Sequence, residues 1–323
     1  MDPVTLYLID ADDHVDETIL RQWVADRGGA PTSVVPIVHP RGEHSGARIE
    51  PLARRLAAID DAVLAPLRVA WLPEERDGDR TARLRDLVRG DPGQPSRRRK
   101  QQILRNDPAR SQVVVAESAL LSEVGNRTDA PTSADPTGLA VFVARQAILS
   151  LERAEYRLRG ARYKVPRLVR EELTGSVSFR RRAEQLAADL ERDPGEVWNE
   201  VLECLDEMVT GYSRLFLDLM ARLGKRIQRP GYGDEIDYDP AQLERIREVL
   251  RTHPAVILPS HKSNLDALVI PVALHENGLP PSHTFAGINM AFWPFGTIFR
   301  RAGRIFIRRD IKDDPVYRWV LRE

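Results

Sequence analysis

The hydrophobic period changes twice along this chain, and nothing else in the sequence constrains its fold as tightly. Up to about residue 125, short β-rich runs alternate with helical patterns. Residues 4–9, 33–38, 62–72 and 112–116 predict strands, and residues 19–23 sit in a helical pattern. That alternation predicts an α/β region. Residues 126–138 carry Asn, Asp, Pro, Ser and Thr without apolar periodicity and read as a linker. From 139 to 250 the period becomes helical. Leu139, Phe142, Val143, Ala147 and Leu151 recur at helix spacing, as do Val197, Val201, Leu202, Leu205 and Met208. Asp193-Pro194 marks a helix start. After His253-Pro254 the period changes again. Residues 255–258 predict a buried strand, 264–277 a helix, 284–288 a strand, 293–301 a short helix and 304–307 a third strand.

The predicted organisation is therefore an N-terminal α/β region (1–125), a linker (126–138), a helical region (139–250) and a second α/β unit (251–323). With 42% hydrophobic residues in 323, the chain has enough apolar surface for packed cores. Lys plus Arg equals Asp plus Glu at 48 each, so no global electrostatic grip on nucleic acid is expected. The basic run Arg97-Arg98-Arg99-Lys100 reads as a solvated loop. The single cysteine, Cys204, excludes a disulfide framework and any cysteine-based zinc cluster. No metal site is expected. No secretory signal is visible at the N-terminus, and no apolar run reaches the roughly 18 residues of a spanning helix.

Chemistry concentrates in two places. Ser260-His261-Lys262-Ser263-Asn264-Leu265-Asp266 sits where a predicted strand gives way to a helix, the edge at which α/β sheets bind ligands. A turn there can bring the Asp266 carboxylate to the His261 imidazole. It would fix the tautomer and raise the basicity of the free ring nitrogen. The residues alone leave a second reading open, in which Asp266 caps its helix and His261 is an ordinary loop residue. Some forty residues on, Gly303-Arg304-Ile305-Phe306-Ile307-Arg308-Arg309 places two guanidiniums directly after a strand. From Gly296 to Lys312 there are six basic residues and one acidic, which suits phosphate. A solvated edge, or a basic face for anionic lipid, would show the same pattern.

Together these blocks resemble the glycerolipid acyltransferase superfamily, whose first block is His-x-x-x-x-Asp after a strand and whose second is Gly-x-x-Phe-Ile-Arg-like. Residues 259–266, Gly287-Ile288-Asn289-Met290 and 303–309 look most like its bacterial glycerol-3-phosphate acyltransferase branch. Tyr163-Lys164-Val165-Pro166-Arg167 resembles the upstream region of its longer, actinobacterial-type members. The resemblance implies that 251–323 is the N-terminal part of an αβ acyltransferase domain. It implies His261 as general base on the glycerol-3-phosphate hydroxyl, Asp266 as its orienting partner, and Arg308 on the substrate phosphate with Arg309 and Arg304 as helpers. It implies acyl-CoA or acyl-carrier protein as donor, no bound cofactor, and transfer to the sn-1 hydroxyl to give lysophosphatidic acid. It further implies a peripheral position on the cytoplasmic face of the cell membrane, and no nucleic-acid partner.

Two departures bear on this. The family's third block, a Glu-Gly pair after a Phe, and its fourth, with a Pro, have no counterpart after Arg309. The resemblance thus predicts that the chain is the amino-terminal portion of a longer enzyme, with an incomplete site of its own. Dihydroxyacetone phosphate as acceptor, or an inactive membrane-associated scaffold, are the alternatives the residues allow.

Overall fold

A computed structural model of the chain describes residues 4–37, 45–75, 80–127, 130, 136–159, 169–209, 212–232, 236–260, 266–292 and 295–323. The N-terminal elements run β1 (Val4–Asp10), α1 (His14–Ala25), β2 (Val34–Ile37), α2 (Ser45–Ala57), β3 (Ala62–Trp71), α3 (Leu84–Arg89), α4 (Arg97–Asn106), β4 (Ser111–Val115), β5 (Ala119–Leu120) and α5 (Leu121–Gly125). The sheet order is β2-β1-β3-β4, with β5 also on β3. Strand β1 is parallel to β2 and β3, whereas β4 and β5 run antiparallel to β3.

Strand β3 explains the layering. Its even residues Ala62, Leu64 and Ala70 enter one core with α2, and its odd residues Leu67, Val69 and Trp71 enter a second core with α1. A strand buried on both faces reads as a nearly continuous apolar run, as this one does. The chain continues through α6 (Pro136–Arg159), α7 (Val169–Thr174), α8 (Val177–Asp189), α9 (Pro194–Met208), α10 (Arg214–Tyr232) and α11 (Pro240–Thr252). Helix α6 carries the helical pattern seen from Leu139, yet its Ala140, Phe142, Val143, Ile148 and Leu151 share a core with Leu6 and Leu8 of β1 and Leu52 of α2. Helix α9 starts as its sequence predicts. Asp193 accepts from the Glu196 amide at 2.9 Å, and Pro194 occupies the first turn.

The last elements are α12 (Asp266–Glu276), β6 (Thr284–Gly287), α13 (Phe295–Arg301), β7 (Arg304–Ile307) and α14 (Pro315–Arg322). Helices α8, α9 and α14 share a core of Phe179, Val197, Val201, Leu205, Tyr317 and Val320, with Ile305 and Ile307 of β7 against it. The α/β class holds, with a helical stretch from α6 to α11 between the two sheets.

Two local expectations are corrected. Residues 255–258 form no strand. Val256 is 84% exposed and Leu258 87%. Strands β6 and β7 pair with each other alone, and the segment finds no ladder partner among the described residues. An apolar run without a partner strand cannot satisfy its backbone in a sheet and stays in water. The run Arg97–Lys100 is no solvated loop. It opens α4, and Lys100 is 2% exposed, with its Nζ 2.6 Å from Asp16 and 3.1 Å from Asp13. Those carboxylates sit where α1 begins, so the lysine is a buried counter-ion while Arg97 and Arg98 remain outside.

Candidate active site

Strands β6 and β7 are parallel, in register from Thr284 opposite Arg304 to Gly287 opposite Ile307. Both therefore end on the same edge. From it emerge the 3-10 turn Ile288–Met290 and the pair Arg308-Arg309. Ligands of α/β sheets bind outside the carboxyl ends of parallel strands, which is this edge. His261 lies outside the described residues. Asp266 is the first residue of α12.

Arg308 is half-exposed and held by carboxylates. Its Nε lies 3.1 Å from both Glu207 oxygens, its Nη2 2.6 Å from Glu207 Oε2, and its Nη1 2.9 Å from Asp314 Oδ2. The guanidinium stacks on the Tyr317 ring at 4.6 Å, and its backbone amide donates to the Tyr317 hydroxyl at 3.2 Å. The Glu207 hydrogen bonds outweigh desolvation and raise its pKa above the ordinary arginine value. Asp314 also caps α14, accepting from the Tyr317 amide at 2.8 Å. The last turn of α9 and the cap of α14 thus clamp the arginine that follows β7.

Arg309 is exposed and has no ion pair among the described residues. Its Nε sits 3.5 Å from where a Cβ on Gly287 would lie, an ordinary contact distance, which places the guanidinium beside the end of β6. Arg304 stands apart from this pair. It begins β7, four residues earlier, roughly 13 Å along the strand at about 3.3 Å per residue. Its guanidinium is buried over the Phe299 ring at 5.0 Å, and burial lowers its pKa. It lines a small cavity of 40 Å³ with His275, Leu268 and Thr284.

Gly303 opens the arginine block at φ +94°, a region that side chains other than glycine rarely adopt. A Cβ there would also collide with the Tyr212 ring. Tyr212 in turn meets the His283 ring edge-on at 5.0 Å, and its buried hydroxyl has no hydrogen-bond partner among the described residues. Desolvation raises the Tyr212 pKa and lowers that of His283. Cys204 is buried, and desolvation pushes its thiol up to about 11. A thiol of that kind is inert, which suits chemistry without a cysteine nucleophile.

Sequence reasoning missed Glu207, Asp314 and Asp218. Asp218 of α10 is 1% exposed. It receives the Ala82 amide at 2.6 Å on one oxygen and faces His275 Nε2 at 2.9 Å on the other. It thereby ties the N-terminal region to α12, the helix that opens at Asp266. Glu207 sits in the last turn of α9, but its partner is 101 residues away, a separation that leaves no sequence signal.

The family comparison covers the same stretch of the chain. Residues 241–319, which contain the His261–Asp266 segment and both strand ends, match the family model described as Acyltransferase. Among curated relatives, 141 residues (44% of this chain) are 37% identical to the putative acyltransferase plsB1 of Mycobacterium bovis, over 22% of that protein. The same figures hold for the Mycobacterium tuberculosis protein of that name. A stretch of 86 residues, 26% of the chain, is 43% identical to the glycerol-3-phosphate acyltransferase of Histophilus somni, over 11% of that protein. The matches thus span less than a quarter of the length of these relatives.

Proposed function

We propose that residues 251–323 belong to the active site of an O-acyltransferase that acylates the sn-1 hydroxyl of glycerol-3-phosphate. The observation that carries this reading is the match of 241–319 to the acyltransferase model, with an arginine pair at a parallel strand end inside it. In this reading the free imidazole nitrogen of His261 takes the proton of the substrate hydroxyl, and Asp266 holds the other ring nitrogen. The hydroxyl oxygen forms a bond to the thioester carbonyl carbon of acyl-CoA or acyl-carrier protein. The tetrahedral oxyanion collapses, the carbon–sulfur bond breaks, and the imidazolium proton leaves with the thiol. The products are an acyl ester, lysophosphatidic acid, and the free thiol. No bound cofactor or metal enters the scheme.

Arg308 and Arg309 take the substrate phosphate. For Arg308 this means sharing or exchanging its Glu207 and Asp314 contacts, because both ends of its fork are engaged. In an enzyme carrying this segment, Arg308→Ala is expected to raise the KM for glycerol-3-phosphate by about 10- to 100-fold, the equivalent of a charge-assisted contact of roughly 1.5–3 kcal/mol. The acyl-donor KM should stay within about twofold. Steady-state kinetics with each substrate varied checks this, and a rise confined to the acyl-donor KM moves Arg308 to the donor site.

The same segment supports a peripheral place at the cytoplasmic membrane face. No helix among the described residues is long and apolar enough to cross a bilayer. Phe285 and Phe292 are 65% and 60% exposed, in the same stretch of chain as Arg300, Arg301 and Arg309. Apolar side chains with neighbouring cations suit an anionic lipid surface. Flotation with phosphatidylglycerol vesicles should be strong at low salt and weaken as salt rises. Recovery of the protein wholly in the soluble fraction at low salt removes this part of the reading.

A further inference from the structure

One cavity with a charged lining shares no residue with the strand end described above. It is a 570 Å³ groove between α3 and α4 of the N-terminal region, within the usual range for small-molecule sites. Six arginines line it against three carboxylates, Glu74, Asp86 and Asp107. Arg85 pairs with Glu74 at 2.7 Å and Arg99 with Asp86 at 3.2 Å. The other four, Arg83, Arg89, Arg98 and Arg110, pair with no carboxylate among the described residues. Arg110 donates its Nε to the Leu72 carbonyl at 2.9 Å, which orients the fork without neutralising it. Arg99 likewise spends one nitrogen on the carbonyls of Arg89 and Gly90, both at 3.0 Å. Desolvation, and behind it the charge of Arg99, hold Arg110 below the ordinary arginine pKa, against the opposing charges of Asp107, Glu74 and Asp86.

From this geometry we infer that the α3–α4 groove is a binding site for a phosphate-bearing anion, a diphosphate or a phosphate monoester, separate from the acyl-transfer site. The chemistry selects the class. Several guanidiniums line one concavity, and planar forks match phosphate oxygens two at a time. No aromatic ring lines the groove among the described residues, so a nucleobase finds no stacking partner there and the phosphates supply the recognition. Pro73, Pro92 and Ile103 add apolar surface to the lining. The groove is also connected. Its wall residue Thr81 accepts from Arg222 of α10 at 2.7 Å, and the next residue, Ala82, is bonded through Asp218 to His275 of α12.

The anion has two possible sources, a soluble diphosphate or a lipid headgroup, and calorimetry with two probes separates them. Inorganic pyrophosphate stands for the first. Dihexanoyl phosphatidic acid, kept below micelle formation, stands for the second. The variant Arg89→Ala/Arg98→Ala removes two exposed guanidiniums to which the structure gives no side-chain partner, so the fold should be retained. Arg180→Ala/Arg181→Ala, on α8, controls for general loss of positive charge. The expected result is saturable binding of at least one probe, weakened about 10- to 100-fold in the groove variant and unchanged in the control. Pyrophosphate binding alone identifies a soluble ligand, and phosphatidic acid binding alone identifies a headgroup. Absence of saturable binding by either probe overturns the inference. So does a groove variant that binds like the parent, or a control variant that loses as much.

Discussion

Replacing His261 with Ala in an enzyme carrying this segment should remove most of its turnover, about 10²–10⁴-fold in kcat, the usual contribution of a positioned general base. Two features support so large an effect. The imidazole belongs to the segment that leads into α12, whose first residue is Asp266, and nearby described residues supply no replacement base. His283 lies against Tyr212, just before the start of β6 and away from the strand end. His275 is occupied with Asp218. Asp266→Asn should cost less than His261→Ala, because the amide still orients the ring while losing the charge that stabilises imidazolium. Product formation from glycerol-3-phosphate and a labelled acyl thioester is the measurement. Retention of more than about a third of kcat in His261→Ala would place the base elsewhere.

The elements that the sequence predicts well are those whose own residues decide them. Strand β3 is apolar at both parities because both its faces are covered, and β7 is a short apolar run between charged ends. Helix α9 announces itself through Asp193 and Pro194. The failures involve residues whose fate depends on distant partners. Residues 255–258 have strand composition, but a strand also needs a neighbour, and none is present among the described residues. Lys100 belongs to a run that looks solvated, yet its counter-ions Asp13 and Asp16 lie more than eighty residues earlier. For the candidate site, the sequence supplies the residue types and the strand end at which Arg308 and Arg309 emerge. It does not supply the clamp on Arg308, since Glu207 and Asp314 come from two helices packed together only by the tertiary fold.

The most destabilising single change expected in the described structure is at Glu155 of α6. It is 3% exposed and receives three guanidiniums: Arg159 Nε at 2.7 Å, Arg214 Nη1 at 2.9 Å and Arg68 Nη1 at 3.1 Å. Arg68 belongs to β3 and is also held by Asp10 of β1, its Nε 2.7 Å from that carboxylate. Arg214 begins α10, the helix that carries Asp218. One carboxylate therefore joins the sheet, α6 and α10. Glu155→Ala leaves three buried cations short of an anion, and breaking such a group from one side costs about 3–5 kcal/mol. That is a large part of the roughly 5–15 kcal/mol by which domains are stable. Glu155→Gln keeps the shape and isolates the charge. Burial pushes the Glu155 pKa up, but the charges of Arg214, Arg159 and Arg68 outweigh it and hold the group well below its ordinary 4.5. Because the folded value lies below the unfolded one, this stabilisation is complete above about pH 4.5 and is lost as pH falls through that value toward the folded pKa. Urea titrations should therefore show a midpoint that drops more steeply below about pH 4.5 in the parent than in Glu155→Gln. At pH 7 the parent should be the more stable of the two. Parallel pH dependences would mean that the carboxylate is not the charged hub its three partners imply.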